Sequence, residues 1–263
     1  LASLAGMAQN TSSSFADSAD PEKIDNLMLL LDLASGFAHR AQAAKDGVQK
    51  RQFTSKATAF LDQAAHIASK NELLLFRKAH LLDQIEENPS KARPYYFDAV
   101  NQEHDFPRAY NGLGVIDGAA GRYENARDEF LAAIAPDEPL LTRAIGLGNL
   151  GEMYVELDDT KAACESWKKA AELGKRNLPG ELVLLSEIHS AMCEDIEGRL
   201  EPARAKYAHA LETGKTRGID LLNLDTYKNR WHEGRKMCDL AQKLIDLVSK
   251  KSESEKTASV VSK

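Results

Sequence analysis

The chain has 263 residues, 43% of them apolar and 6% aromatic, with a formal net charge of -6 at pH 7. That is ample for a core and long enough for one or two domains or an extended repeat array. The mild acidic balance speaks against a nucleic-acid surface, which needs a basic excess. No apolar run approaches the ~20 residues of a membrane helix; the longest candidate, Leu27 to Leu33, is broken by Asp32.

Residues 1–8 read as the end of an export signal, with a small-x-small pattern at Gly6-x-Ala8, or as foreign residues ahead of a native start at Met7. The second reading makes the protein cytoplasmic and the first makes it exported. Residues 9–20 are polar and aperiodic, so 1–20 is expected to be a disordered lead-in. Asp20-Pro21-Glu22 is a helix start, because an aspartate caps free N–H groups and proline is tolerated at the first helical position. Residues 21–72 are expected to form a divergent pair of helices with a break near Asp46-Gly47.

From residue 73 the apolar positions recur at helical period, with no sustained strand alternation. Counting Pro107 as position 1, Gly114 falls at 8, Gly121 at 15, Ala126 at 20, Phe130 at 24 and Ala133 at 27. Starting at Ala144, Gly151, Ala163, Trp167 and Ala170 fill positions 8, 20, 24 and 27. From Leu184 the set is Ala191, Gly198, Ala203, Tyr207 and Ala210, at 8, 15, 20, 24 and 27. From Leu73 it is Ala92, Tyr96 and Ala99 at 20, 24 and 27, with His80 as a departure at 8. Small residues at 8 and 20 let the two helices of a repeat approach, and a large one at 24 fills the space towards the next. Ala57, Leu61 and Ala64 repeat the last three positions inside the earlier pair.

This pattern resembles the tetratricopeptide (TPR) family. The resemblance implies an all-α, right-handed superhelical solenoid of antiparallel helix pairs, with about four TPR-like repeats over 73–217 and flanking helices. Residues 218–249, with Leu221, Leu222, Leu224, Trp231 and Met237, are expected to cap the stack, and 250–263 to form a disordered charged tail.

The search for chemistry is negative in the sequence. Seven histidines show no H-x-x-x-H spacing, no phosphate-binding glycine loop is present, and Gly112-Leu-Gly114 and Gly146-Leu-Gly148 have no strand before them. Cys164, Cys193 and Cys238 stand far apart without C-x-x-C spacing, which predicts reduced, partly buried thiols. The protein is therefore expected not to be an enzyme, and no cofactor or metal is implied. A cation between Glu152 and Glu156 lacks a third ligand in view.

In TPR proteins the first helices of successive repeats line a concave groove. Carried over by position, that implies a peptide-binding set of Arg77, Arg108, Asn111, Asn149, Glu152, Glu156, His189, Met192 and Asp195. Its early part, with Arg77, Lys78 and Arg108, reads as basic and its later part as acidic. Of the family's carboxylate clamp for chain termini only Asn149 is in place, so a partner held that way is not expected. The leading expectation is a scaffold that binds a peptide or protein segment in the groove. The alternatives are a structural subunit held in a larger assembly through its lateral or convex faces, favoured by an apolar 218–249 face, and a helical-repeat RNA binder, which the acidic balance opposes.

Overall fold

The computed structural model describes residues 26–102, 106–136, 138–174, 180–218 and 236–261, with side chains of the last segment described as far as Ser249. The described residues form eleven helices and no strand. They are α1 (Leu27–Ala43), α2 (Gly47–Ala68), α3 (Glu72–Gln84), α4 (Pro89–Gln102), α5 (Pro107–Ala119), α6 (Tyr123–Ala133), α7 (Leu140–Glu156), α8 (Thr160–Gly174), α9 (Gly180–Ile196), α10 (Leu200–Arg217) and α11 (Lys236–Val261).

Short polar side chains set several of the starts. Asn26, Asp46 and Asn71 precede α1, α2 and α3, and each accepts a hydrogen bond from N–H groups of the first turn. Asp159 does the same for Ala162 at the head of α8, with its Oδ1 3.0 Å from that nitrogen. Such caps satisfy donors that a helix leaves open, each contributing about 1 kcal/mol. Between paired helices, Gly121 and Gly198 at position 15 take φ values of 80° and 76°. That left-handed turn strains any side chain with a Cβ, which explains glycine at both sites.

Two compact units divide the chain, Leu1–Ile116 and Asp117–Lys263. In the first, α1 packs on α2 and α3 on α4, α2 meets α3, and α1 also touches α3. In the second, α6 packs on α7, α7 on α8 and α9 on α10, while α8 meets α9 and α7 meets α9. Within each unit helices thus meet their neighbours along the chain, and α1 meets α3 as α7 meets α9, the contact pattern of stacked repeats.

The repeat positions account for the core. Ala92, Ala126, Ala163 and Ala203 at position 20 are fully buried, as are Phe130 and nearly so Tyr96, Trp167 and Tyr207 at position 24. Ala57, Leu61 and Ala64 of α2 are buried in the same way, against Phe37, Phe60 and Leu74. Gly151, at position 8 of α7, lies under Trp167: a Cβ there would sit 2.2 Å from the indole nitrogen. Gly112 is held against Tyr96 in the same manner, its added Cβ falling 2.6 Å from the phenol ring. Close helix packing therefore explains Gly112, which sits outside the repeat's usual small positions.

One cysteine expectation is overturned. Cys164 of α8 and Cys193 of α9 form a disulfide, with a Cα–Cα distance of 5.6 Å, and Cys238 is buried and stands outside it. The α8–α9 packing brings the two sulfurs together, although they stand 29 residues apart. At the far end α11 continues as helix to Val261, through residues expected to form a tail. The lead-in, the Asp20-Pro21 start, the Asn177–Pro179 turn and Leu221, Leu222, Leu224 and Trp231 lie outside the described residues.

Candidate functional site

The first helices of the pairs carry the residues that sequence position assigns to a ligand-binding face. In the first unit these are α1, α3 and α5. Arg77 projects from α3 and Arg108 from α5, both half-buried, with half-buried Asn111 one turn further along α5. Neither arginine has a carboxylate within ion-pair distance among the described residues, and the Arg77 Nε is buried without a hydrogen-bond partner. Lys78, expected on the same face, instead reaches Asp62 of α2 at 3.1 Å.

The electrostatics of this cluster are those of crowded cations. Burial pulls the Arg77 guanidinium below its ordinary value; Asp32 on α1 works against that, and Arg108 adds to it. Burial, then Arg77 and His39, hold the His80 imidazole down at about 4. His39 on α1 is lowered by burial and then by Arg77. Both histidines therefore stand neutral at pH 7, because protonation would cost desolvation and repulsion together. His80 lies beside the Phe76 ring, their centroids 6.1 Å apart, which gives position 8 of this repeat a packing role despite its polarity.

In the second unit the corresponding residues are drawn inward. Asn149, Glu152 and Glu156 of α7 are 4%, 0% and 7% exposed, and His189 and Met192 of α9 are 2% and 0% exposed. His189 stacks on Trp167 of α8, the rings 4.5 Å apart and 9° from parallel. Its Nε2 lies 3.4 Å from Glu152 Oε1, and the Trp167 indole donates to the Gly148 carbonyl at 3.0 Å. Asp195 remains half-exposed at the end of α9.

Glu156 has a separate task. Its Oε1 accepts from the Met237 N–H at 3.0 Å and its Oε2 from the Lys236 N–H at 3.3 Å, so a carboxylate on α7 caps the first turn of α11. Lys236 Nζ donates back to the Glu156 carbonyl at 3.0 Å and pairs with Asp158 at 2.6 Å. Burial raises the Glu156 carboxyl above its ordinary value, and the two N–H groups and Lys236 pull against that. Beyond this cap α11 packs against α7, α9 and α10, burying Met237, Cys238, Ala241 and Leu244. Glu152 and Glu156 thus face different partners, and among the described residues no group of three or more His, Cys, Asp or Glu is placed to hold a metal ion.

Repeat position gave these residues a direction from their helices but not their surroundings. Trp167 was assigned to the core, and its stacking on His189 had no signature in the repeat frame. The capping of α11 joins residues about 80 apart and also had none. Among the described residues no helix is long and apolar enough to cross a membrane.

No protein-family model matches the chain, and no curated protein matches it. Among solved structures it is similar to that of pilF from Pseudomonas aeruginosa, at 20% identity and a TM-score of 0.58, over 72% of this chain and 76% of that one. It is also similar to YrrB, a TPR protein with an unusual peptide-binding site, at 22% identity and a TM-score of 0.48, over 71% of this chain and 91% of that one. The chain has the all-helical fold of TPR solenoid proteins.

Proposed function

We propose that the protein is an interaction scaffold that holds a peptide or protein segment along the first helices of its repeats. The observation that carries this reading is the half-open face of α1, α3 and α5, where Arg77 and Arg108 have no ionic partner within ion-pair distance among the described residues. Side chains kept on a surface at an electrostatic cost, with no structural bond in return, are characteristic of recognition. Arg77, Arg108 and Asn111 would meet the ligand in the first unit and Asp195 in the second. Asn149, Glu152, Glu156, His189 and Met192 would shape and stiffen the second unit from inside. The closed Glu152–His189 pair supports a binding rather than an enzymatic role, since substrate has no path to groups 0% and 2% exposed.

A second reading, a subunit held in an assembly through its outer faces, is favoured by Phe97 and Leu131. These stand at position 25 of successive repeats and are 49% and 44% exposed. Exposed large apolar side chains on the second helices suit a permanent contact.

Affinity capture from the native extract separates the two. The wild type is compared with an Arg108→Glu/Asn111→Asp form and a Phe97→Ser/Leu131→Ser form, all first shown to melt alike. A partner lost only from the first variant supports the scaffold. A partner lost only from the second transfers the interface to the outer helices and overturns it.

A further inference from the structure

Several cations elsewhere in the described structure have found carboxylates. Arg122 meets buried Asp117 at 2.6 Å, Lys78 meets Asp62, and Lys206 and Arg199 converge on Glu194. Arg77 and Arg108 have none within ion-pair distance among the described residues, although both are half-buried and Arg108 lies close enough to weigh on the charge of Arg77. The Arg77 Nε is closed off from solvent and makes no hydrogen bond. A buried donor left open costs about 1–3 kcal/mol, more for a charged group. Two neutral histidines, His39 and His80, flank the pair and leave Asp32 as the opposing charge.

We propose that the α1, α3 and α5 face is a carboxylate-binding subsite, in which the Arg77 and Arg108 guanidiniums hold Asp or Glu side chains of an acidic peptide segment. This rests on the scaffold reading above and names the chemistry of its ligand. A guanidinium fork matches a carboxylate with two parallel N–H···O bonds, and partial burial strengthens them. The carboxylate meets the outer N–H groups of the two guanidiniums and relieves the repulsion that Arg108 exerts on Arg77. Asp32 at the edge favours a singly charged group over a dianion, because each added negative charge on the ligand is repelled by it.

The test uses the full chain and short fluorescein-labelled peptides with amidated C-termini. One series carries two Glu at varied spacing, its counterpart carries Gln at the same places, and a third is the Gln series with a free C-terminus. The expected result is a preference of about tenfold or more for a Glu peptide over its Gln twin, weakening with added salt. R77Q and R108Q should each lose most of that preference and the double variant all of it, with melting temperatures unchanged or raised. K78Q, whose lysine serves Asp62, should keep it. Glu and Gln peptides binding alike, or a preference that survives the double variant, overturns the subsite while leaving the scaffold reading intact. Binding only of the free-terminus series overturns the commitment to side chains. No binding by any series removes both the subsite and the scaffold reading. Displacement of bound Glu peptide by polyuridylate at equal charge overturns the peptide assignment.

Discussion

The two units build the same repeat frame and use its first-helix positions in opposite ways. In the first, Arg77 and Arg108 stand half-open on α3 and α5 with no carboxylate within ion-pair distance among the described residues. In the second, Glu152 and His189 are sealed against Trp167, and Glu156 is spent on the first turn of α11. The repeat position fixes which way a side chain leaves its helix, but what it meets there depends on whether another helix lies over the face. In the second unit α11 does.

The largest expected effect is on the sealed side. Trp167→Ala removes a buried indole, its stack on His189 and its bond to Gly148, and should destabilise the second unit by about 3–5 kcal/mol. Urea unfolding measures it; a loss below about 1 kcal/mol would mean that the Glu152–His189 region is loosely packed and that the two units differ less than described.

Next comes the bridge between α8 and α9. Reducing Cys164–Cys193 frees a closed loop of some thirty residues, for which chain-entropy reasoning gives about 2–4 kcal/mol. Thermal melts with and without reductant check this, and thiol titration of the denatured, unreduced protein should find one free cysteine, Cys238. Three free thiols would contradict the pairing.

On the open side the effect is in acid. Histidine ordinarily titrates at 6.5, and His80 in the folded protein is held at about 4. Above pH 6.5 the imidazole is neutral in both folded and unfolded chains and costs nothing. As the pH falls from 6.5 to 4 the unfolded chain takes up a proton that the folded one refuses, so stability falls, by up to about 3 kcal/mol for this residue. The difference in unfolding free energy between wild type and His80→Gln, followed from pH 7.5 to 4, should show that slope. Parallel curves would mean that burial, and Arg77 after it, hold the imidazole down less than described.

The smallest effect sharpens the contrast most finely. Glu156→Gln leaves the α7 side chain in place but weakens its acceptance from Lys236 and Met237, at a cost of about 1 kcal/mol. Amide hydrogen exchange should rise along α11 and stay unchanged in α1 to α4. No change in α11 would show that apolar burial of Met237 and Leu244 alone seats the helix.

Much of the fold was legible because repeat packing writes itself in side-chain size. Ala126 and Phe130, or Ala163 and Trp167, differ in volume as required by a close crossing followed by a gap. The same logic found Ala57, Leu61 and Ala64 in the divergent pair. The candidate site was legible only as directions. Glu156 and Met237 meet across some 80 residues, and Cys164 and Cys193 across the joint between two repeats, so neither pairing leaves a local spacing to read. Arg77 and Lys78 are neighbours in sequence and equal in charge, yet only Lys78 has Asp62 within reach.

The most direct test of the account is to locate a bound ligand. An acidic, C-terminally amidated peptide carrying a photo-crosslinker would be irradiated with the full chain and its adducts mapped by mass spectrometry. The account predicts adducts on α1, α3 and α5, reduced in the Arg77→Gln/Arg108→Gln form. Adducts concentrated around Phe97 and Leu131, and undiminished by that substitution, would contradict it.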